Sequence, residues 1–142
     1  MHTALLLGTG LFTACVLSFS VAIALVVSLM SRVIRTGYSG ESIGKNIAIM
    51  IVITLVMAAA HLMQILVWAI AFWASGEVST FETAFYFSAQ NYTSLGYGDV
   101  VLPDHWRLLG PLEAINGLLL FGLSTAVMFA ALSRLVSGRL HT

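Results

Sequence analysis

The chain contains few charged residues. Only 8% of its 142 residues are Asp, Glu, Lys or Arg, whereas 59% are apolar. Mean hydropathy is +0.98, and a soluble domain usually carries about 25% charged residues. Six basic and six acidic residues balance to a net charge of zero, so no nucleic acid partner is expected. This composition excludes an ordinary soluble domain and indicates a membrane protein.

Other absences narrow the function. A single cysteine, Cys15, rules out an intrachain disulfide and is expected to be a small apolar filler in a helix. No segment carries a ladder of arginines, which excludes a voltage sensor. Paired carboxylates, a metal-ligand cluster and a nucleophile with its base are also missing from the sequence. The chain is therefore expected not to be an enzyme and to need no cofactor.

Three long apolar runs are present. Residues 4–30 and 47–76 contain no Asp, Glu, Lys or Arg, and residues 108–132 contain only Glu113. Each run is long enough to cross a bilayer, which takes about 20 residues. The first run lacks a basic leader and a convincing cleavage site, so we expect a retained helix and not a signal peptide. The sequence predicts three membrane-spanning helices.

Basic residues at the ends of these runs predict the orientation. One side of the membrane would carry almost all of them: Arg32, Arg35, Lys45, Arg134 and Arg139. Only Arg107 falls on the other side, in a region that also contains acidic residues. Lys and Arg are enriched in cytoplasmic loops. We therefore expect a multi-pass protein of the cell membrane with its N-terminus outside and its C-terminus in the cytoplasm.

A short segment between the second and third apolar runs reads Thr-Ser-Leu-Gly-Tyr-Gly-Asp over residues 93–99. Gly96 and Gly98 are spaced by one residue, as needed by a backbone that alternates between right-handed and left-handed conformations. Upstream, residues 79–82 have the form of a capping box with Ser79 as N-cap. This pattern predicts a helix from about Thr80 to Tyr92, which is too short to span a bilayer and is therefore re-entrant.

Residues 81–88 followed by residues 93–99 resemble the pore region of two-transmembrane bacterial potassium channels. The resemblance covers roughly residues 47–136. It implies an all-α fold with three transmembrane helices, a re-entrant pore helix and a selectivity filter, and it implies four identical subunits around one axis. Dehydrated K⁺ would be coordinated by the carbonyls of Ser94, Leu95, Gly96 and Tyr97 together with the Ser94 hydroxyl.

The resemblance also assigns the residues around the filter. The filter itself would comprise Thr93, Ser94, Leu95, Gly96, Tyr97 and Gly98. Its support would come from Gln90, Asp99, Tyr86 and Phe87, and the sequence expects a hydrogen bond from the Gln90 amide to Asp99. In the third helix, Gly117 would be a hinge, and Leu118, Phe121, Thr125 and Phe129 would line the cavity and inner gate. Gly122, Ala126 and Ala130 form a stripe of small residues that suits helix packing.

The resemblance divides the chain into four parts. Residues 1–35 would form an extra N-terminal transmembrane helix, and residues 36–46 a cytoplasmic connection. Residues 47–136 would form the pore domain, and residues 137–142 a short cytoplasmic tail. The expected partners are K⁺ as the permeant ion, membrane lipids and further copies of the chain.

Two rival functions remain open at this point. Ser94 and Leu95 depart from the usual threonine and valine of the family, which suggests a cation channel with relaxed K⁺/Na⁺ selectivity. A non-conducting membrane subunit that modulates another channel is the second rival, with the first helix as its docking surface. A broken filter would favour that rival, and the filter sequence is intact.

Polar residues at membrane depth are functional candidates by default. His61 and Gln64 lie within the second apolar run. We expect a neutral His61 that is hydrogen-bonded to a neighbouring helix, the first helix being one option, with pH sensing as the alternative. For Glu113, the sequence leaves open a place behind the filter and a place near the outer headgroups.

Overall fold

The structure is a computed structural model that describes residues 2–35 and 43–140, the last three of these by their backbone alone. Within these ranges the chain is all α, with four helices: α1 (His2–Arg35), α2 (Ile43–Ala74), α3 (Phe81–Tyr92) and α4 (Leu109–Leu140). Most of the expected cytoplasmic connection, residues 36–42, lies outside the described residues, as do residues 141 and 142 of the expected tail.

Three of the four helices are long and apolar enough to cross a membrane: α1, α2 and residues Leu109–Ser137 of α4. The prediction of three spanning helices is confirmed, and the chain is a multi-pass membrane protein. Each helix extends beyond its uncharged run at one end or both, because the polar flanking residues continue the helical hydrogen bonding.

One face of α1 packs against the rest of the chain. Its buried residues are Ala4, Gly8, Cys15, Phe19, Val26 and Met30. They repeat every 11 residues, and because 11 residues make three turns of about 3.67 residues each, the set stays on one face. This buried face contacts both α2 and α4. The first helix is thus packed along its length against α2 and α4.

The short helix α3 spans 12 residues, Phe81–Tyr92, as the sequence predicts. Its N-cap is Thr80, however, and not Ser79. Thr80 has an extended backbone, and its hydroxyl accepts a hydrogen bond of 3.1 Å from the backbone N–H of Thr83. Ser79 and Thr80 both carry a hydroxyl, but it is the Thr80 hydroxyl that bonds to the third residue of the helix. The N-cap assignment from the sequence is therefore wrong by one position.

Two apolar clusters hold the helices together, and one of them includes α3. The cluster at the α3 level joins Trp68 and Phe72 of α2 to Ala84 and Phe87 of α3, with the Phe72 and Phe87 rings 4.8 Å apart. The second cluster lies towards the other end of the spanning helices and joins α1, α2 and α4 around Phe19 and Leu120, among others. The short helix is therefore wedged between α2 and α4.

Candidate functional site

The loop that follows α3 has an alternating backbone. Thr93 ends the helix with φ −84°, and then Ser94, Gly96 and Gly98 have φ of 59°, 55° and 76°, while no other non-glycine residue of the described chain has a positive φ. The alternation expected at the two glycines is present. Ser94 continues it, although the sequence gives no signal for a left-handed serine, because a side chain disfavours positive φ.

The N–H groups of this loop turn back towards α3. Those of Leu95 and Gly96 point at the backbone oxygen of Gln90, at 2.8 and 3.4 Å. That of Tyr97 donates to Gln90 Oε1 at 2.9 Å. In a trans peptide the C=O and N–H groups point in opposite directions. The carbonyls of Ser94, Leu95 and Gly96 therefore point away from α3 together, and these three residues are exposed in the single chain.

Gln90 links α3 to two points of the loop. Its side chain is 5% exposed, and besides accepting from Tyr97 it donates from Nε2 to Asp99 Oδ1 over 3.0 Å. This is the amide-to-carboxylate hydrogen bond expected from the sequence. The Tyr86 hydroxyl donates to Asp99 Oδ2 over 2.9 Å, so Asp99 is held from two positions on one helix.

These two donors change the acidity of the groups they join. Donation by the Gln90 amide and then by the Tyr86 hydroxyl lowers the pKa of Asp99 below its usual value. The hydrogen bond between Tyr86 and Asp99 also raises the pKa of Tyr86, because the Tyr86 hydroxyl is the donor to the Asp99 carboxylate. Phe87, which the sequence groups with the filter support, points elsewhere. Its ring packs on Phe72 in the core.

Behind α3 lies a polar network that the sequence does not predict in detail. Glu113 of α4 is 0% exposed, and its Oε1 lies 2.5 Å from Ser88 Oγ. The Ser88 hydroxyl also lies 2.8 Å from the backbone oxygen of Ile65 in α2. Of the two places that the sequence leaves open for Glu113, behind the filter or near the outer headgroups, the structure shows the buried place, behind α3. Spacing along the chain contains no signal for such contacts, because they depend on how three helices pack.

His61 is hydrogen-bonded through both ring nitrogens. Nδ1 lies 2.8 Å from the Tyr92 hydroxyl at the end of α3, and Nε2 lies 3.1 Å from Ser124 Oγ in α4. The first helix, the option named from the sequence, gives only a ring contact, from Phe19 at 5.0 Å. The polar contact of α1 is instead Ser18, whose Oγ accepts from Gln64 Nε2 over 3.2 Å.

Gly117 allows α3 and α4 to approach closely. A Cβ built on Gly117 would overlap the backbone carbonyl of Tyr92. The structure thus gives this glycine a packing role at the point where α3 ends and the loop begins. Of the residues expected to line a cavity, Leu118 and Phe129 are 60% and 71% exposed in the single chain, whereas the Phe121 ring stacks on His61 at 4.3 Å. Thr125 is exposed, with its hydroxyl bonded to the Phe121 oxygen.

Comparison with known proteins gives one match. A protein-family model described as "Ion channel" matches residues 51–134. No curated protein and no solved structure matches the chain. The matched range begins in α2, contains all of α3 and the alternating loop, and ends in α4.

Proposed function

Because the chain belongs to the ion channel family whose model matches residues 51–134, we propose that it is a passive, potassium-selective channel formed by four copies of the chain. The observation that carries this proposal is the alternating backbone at Ser94, Gly96 and Gly98. It turns the carbonyls of Ser94, Leu95 and Gly96 to one side, as a carbonyl filter requires.

The chemistry of this loop suits K⁺. Carbonyl oxygens replace the hydration shell of a cation without adding fixed charge. The proposed ligands are the carbonyls of Ser94, Leu95, Gly96 and Tyr97 and the Ser94 hydroxyl, with Thr93 and Gly98 ending the filter. Gln90, Tyr86 and Asp99 are the proposed support, since their hydrogen bonds tie Tyr97 and Asp99, at the C-terminal end of the loop, to α3.

The exposed position of the loop supports the proposed assembly of several copies, which the resemblance sets at four. One chain contributes one strand of carbonyls, and residues 93–99 are all exposed in the single subunit. Closed cyclic symmetry is the usual way in which identical chains surround an axis. The exposed residues of α4, including Leu118, Thr125 and Phe129, are proposed to face this axis below the filter.

The orientation of the chain in the membrane is also a proposal. Gly8 packs against Leu112 at the start of α4, whereas Met30 and Arg134 line one groove near the other end. The helices α1 and α4 therefore run parallel, and Arg32, Arg35 and Arg134 belong to one side of the membrane. This side is the cytoplasm by the positive-inside rule, which puts residues 93–99 towards the outside.

The test is ion flux into liposomes that contain only the purified full-length protein, with K⁺ compared with Na⁺. We expect much faster flux of K⁺ and a mass of four subunits. Gly98→Ala is expected to abolish the selective flux, because φ of 76° strains any residue with a Cβ. Gly10→Ala is the matched control, since Gly10 has open space around it and no positive φ.

The outcomes separate the rivals. Equal flux of K⁺ and Na⁺ would favour a channel with relaxed selectivity. A monomer or dimer without flux in lipid would favour a non-conducting, modulatory subunit. Unchanged selectivity in Gly98→Ala would show that residues 93–99 are not the filter.

A further inference from the structure

We infer that Glu113 is held as an uncharged carboxylic acid that donates a hydrogen bond to Ser88 and thereby fixes α3 from behind. The inference concerns the packing of α3 and does not depend on which ion the protein conducts.

Among the residues that the structure describes, none beside Glu113 supplies a positive charge. Among the described residues, the titratable groups that interact with its carboxyl group are the Cys15 thiol of α1 and the Tyr92 hydroxyl of α3. Neither can become a cation. Arg107, the basic residue nearest in sequence, is exposed and pairs with Asp104 at 3.0 Å. A carboxylate that is 0% exposed and has no positive charge beside it is strongly unfavourable, so the neutral acid is the stable form.

The hydrogen bonds around Ser88 lead to the same conclusion. Its hydroxyl has one proton and two oxygens within reach, Ile65 O at 2.8 Å and Glu113 Oε1 at 2.5 Å. The Ile65 carbonyl can only accept. If Ser88 donates to Ile65, the proton between Ser88 and Glu113 must come from Glu113. A carboxylic acid can supply this proton. A carboxylate has none, so Ser88 could donate to it only by giving up its hydrogen bond to the Ile65 carbonyl.

The second carboxyl oxygen supports an uncharged state. The Asn91 amide lies beside the carboxyl group, yet neither Asn91 Nδ2 nor Glu113 Oε2 has a hydrogen bond of good geometry. A carboxylate carries charge on both oxygens and needs donors for both. A carbonyl oxygen of a neutral acid tolerates a weak contact at much lower cost.

The consequence for α3 follows from helical geometry. Ser88 and Gln90 are two residues apart and so lie on nearly opposite faces of the helix. Gln90 faces the loop of residues 93–99, and Ser88 faces α2 and α4. Glu113 is therefore a positioning residue, which acts on the loop through Ser88 and the placement of α3.

The test is infrared spectroscopy of the full-length protein in lipid at neutral pH. A protonated carboxylic acid has a C=O stretching band that a carboxylate lacks. We expect this band in the wild type, its loss in Glu113→Gln, and its retention in Glu82→Gln. Glu82 is the matched control because its carboxyl group is exposed in the first turn of α3. No such band in the wild type, or a band that survives Glu113→Gln, would overturn the inference.

A second variant covers the case in which Glu113→Gln does not assemble. Ser88→Ala is expected to shift the band without removing it, because the acid keeps its proton and loses its acceptor. An unshifted band in Ser88→Ala would show that Glu113 does not donate to Ser88.

Discussion

At the scale of single residues, Gln90 contacts the candidate filter at two points. One side chain accepts from the Tyr97 N–H and donates to Asp99, so it holds two points of the loop that are two residues apart. An amide is suited to this position because it has a donor and an acceptor and no charge. A carboxylate in its place would retain only the acceptor unless it took up a proton.

We predict that Gln90→Glu makes the decay of current after opening depend on external pH. Glutamate at position 90 would place two carboxyl groups at hydrogen-bond distance, and one of them would be driven to hold a proton. The measurement is the decay rate of macroscopic current as external pH is stepped between neutral and acidic values. The wild type should lack this dependence. Identical responses of both proteins would remove the Gln90 to Asp99 contact from the account of filter stability.

A second prediction uses the lowered pKa of Asp99. A carboxyl group whose pKa is lowered in the folded protein stabilises the fold at pH values above the usual carboxyl pKa. This stabilisation is lost as the pH falls through the lowered pKa of Asp99. Wild-type flux should therefore fail only at external pH below the usual range of an aspartate. Tyr86→Phe removes one donor, so the pKa of Asp99 should rise and flux should fail at a higher pH. The measurement is flux against external pH, and an unchanged midpoint would contradict the prediction.

The residue scale also shows what a sequence can indicate. The positive φ of Gly96 and Gly98 and the bond between Gln90 and Asp99 were predictable, because both depend on residues within ten positions of one another. The positive φ of Ser94 was not, since serine has no preference for that conformation. The partners of Glu113 and His61 were not predictable either, because they lie on other helices whose packing no local pattern specifies.

At the scale of the helices, the contact between Gly117 and the end of α3 is a strict steric requirement. We predict that Gly117→Ala destabilises the protein by about 1–3 kcal/mol, because the added methyl group meets a backbone carbonyl that cannot move without shifting α3. Thermal unfolding in detergent measures this. Gly122→Ala is the matched control: its Cβ meets open space in the single chain, and alanine favours a helix by about 1 kcal/mol over glycine.

The two variants also separate packing from hinge bending. If Gly117 acted only as a hinge, Gly117→Ala would stiffen α4 and leave stability equal to or above that of Gly122→Ala. Lower stability of Gly117→Ala would show that close packing against Tyr92 is the main need for this glycine.

Helix bounds were predicted less accurately than helix number. The three spans and the short α3 were predictable because uncharged runs and a following glycine pattern are strong signals. The N-cap was assigned one residue early, because Ser79 and Thr80 carry the same hydroxyl group and only the backbone dihedrals decide which one caps α3.

At the scale of the whole molecule, α1 is an integral part of the packed structure. Its Ser18 pairs with Gln64, which is 1% exposed, and Phe19 covers the ring of His61. Without α1 the Gln64 amide would face hydrocarbon without this partner, and unpaired polar groups are costly there. The His61 ring would keep its hydrogen bonds to α3 and α4 but lose the cover of Phe19.

We therefore predict that Ser18→Ala destabilises the protein by about 1–3 kcal/mol, because it leaves the buried amide of Gln64 without its partner on α1. Ser20→Ala is the control, since the exposed Ser20 hydroxyl bonds only to the Val16 backbone within its own helix. Thermal unfolding in the same detergent compares the two. Equal effects would mean that α1 contributes apolar packing alone.

The polar face that α1 covers bears on how the protein is made. The first helix precedes α2 and α4 in the chain, so it leaves the ribosome before either of them. His61 and Gln64 would then enter the bilayer with Ser18 and Phe19 already there to receive them. The helix that shields the polar groups is therefore inserted before the helix that carries them.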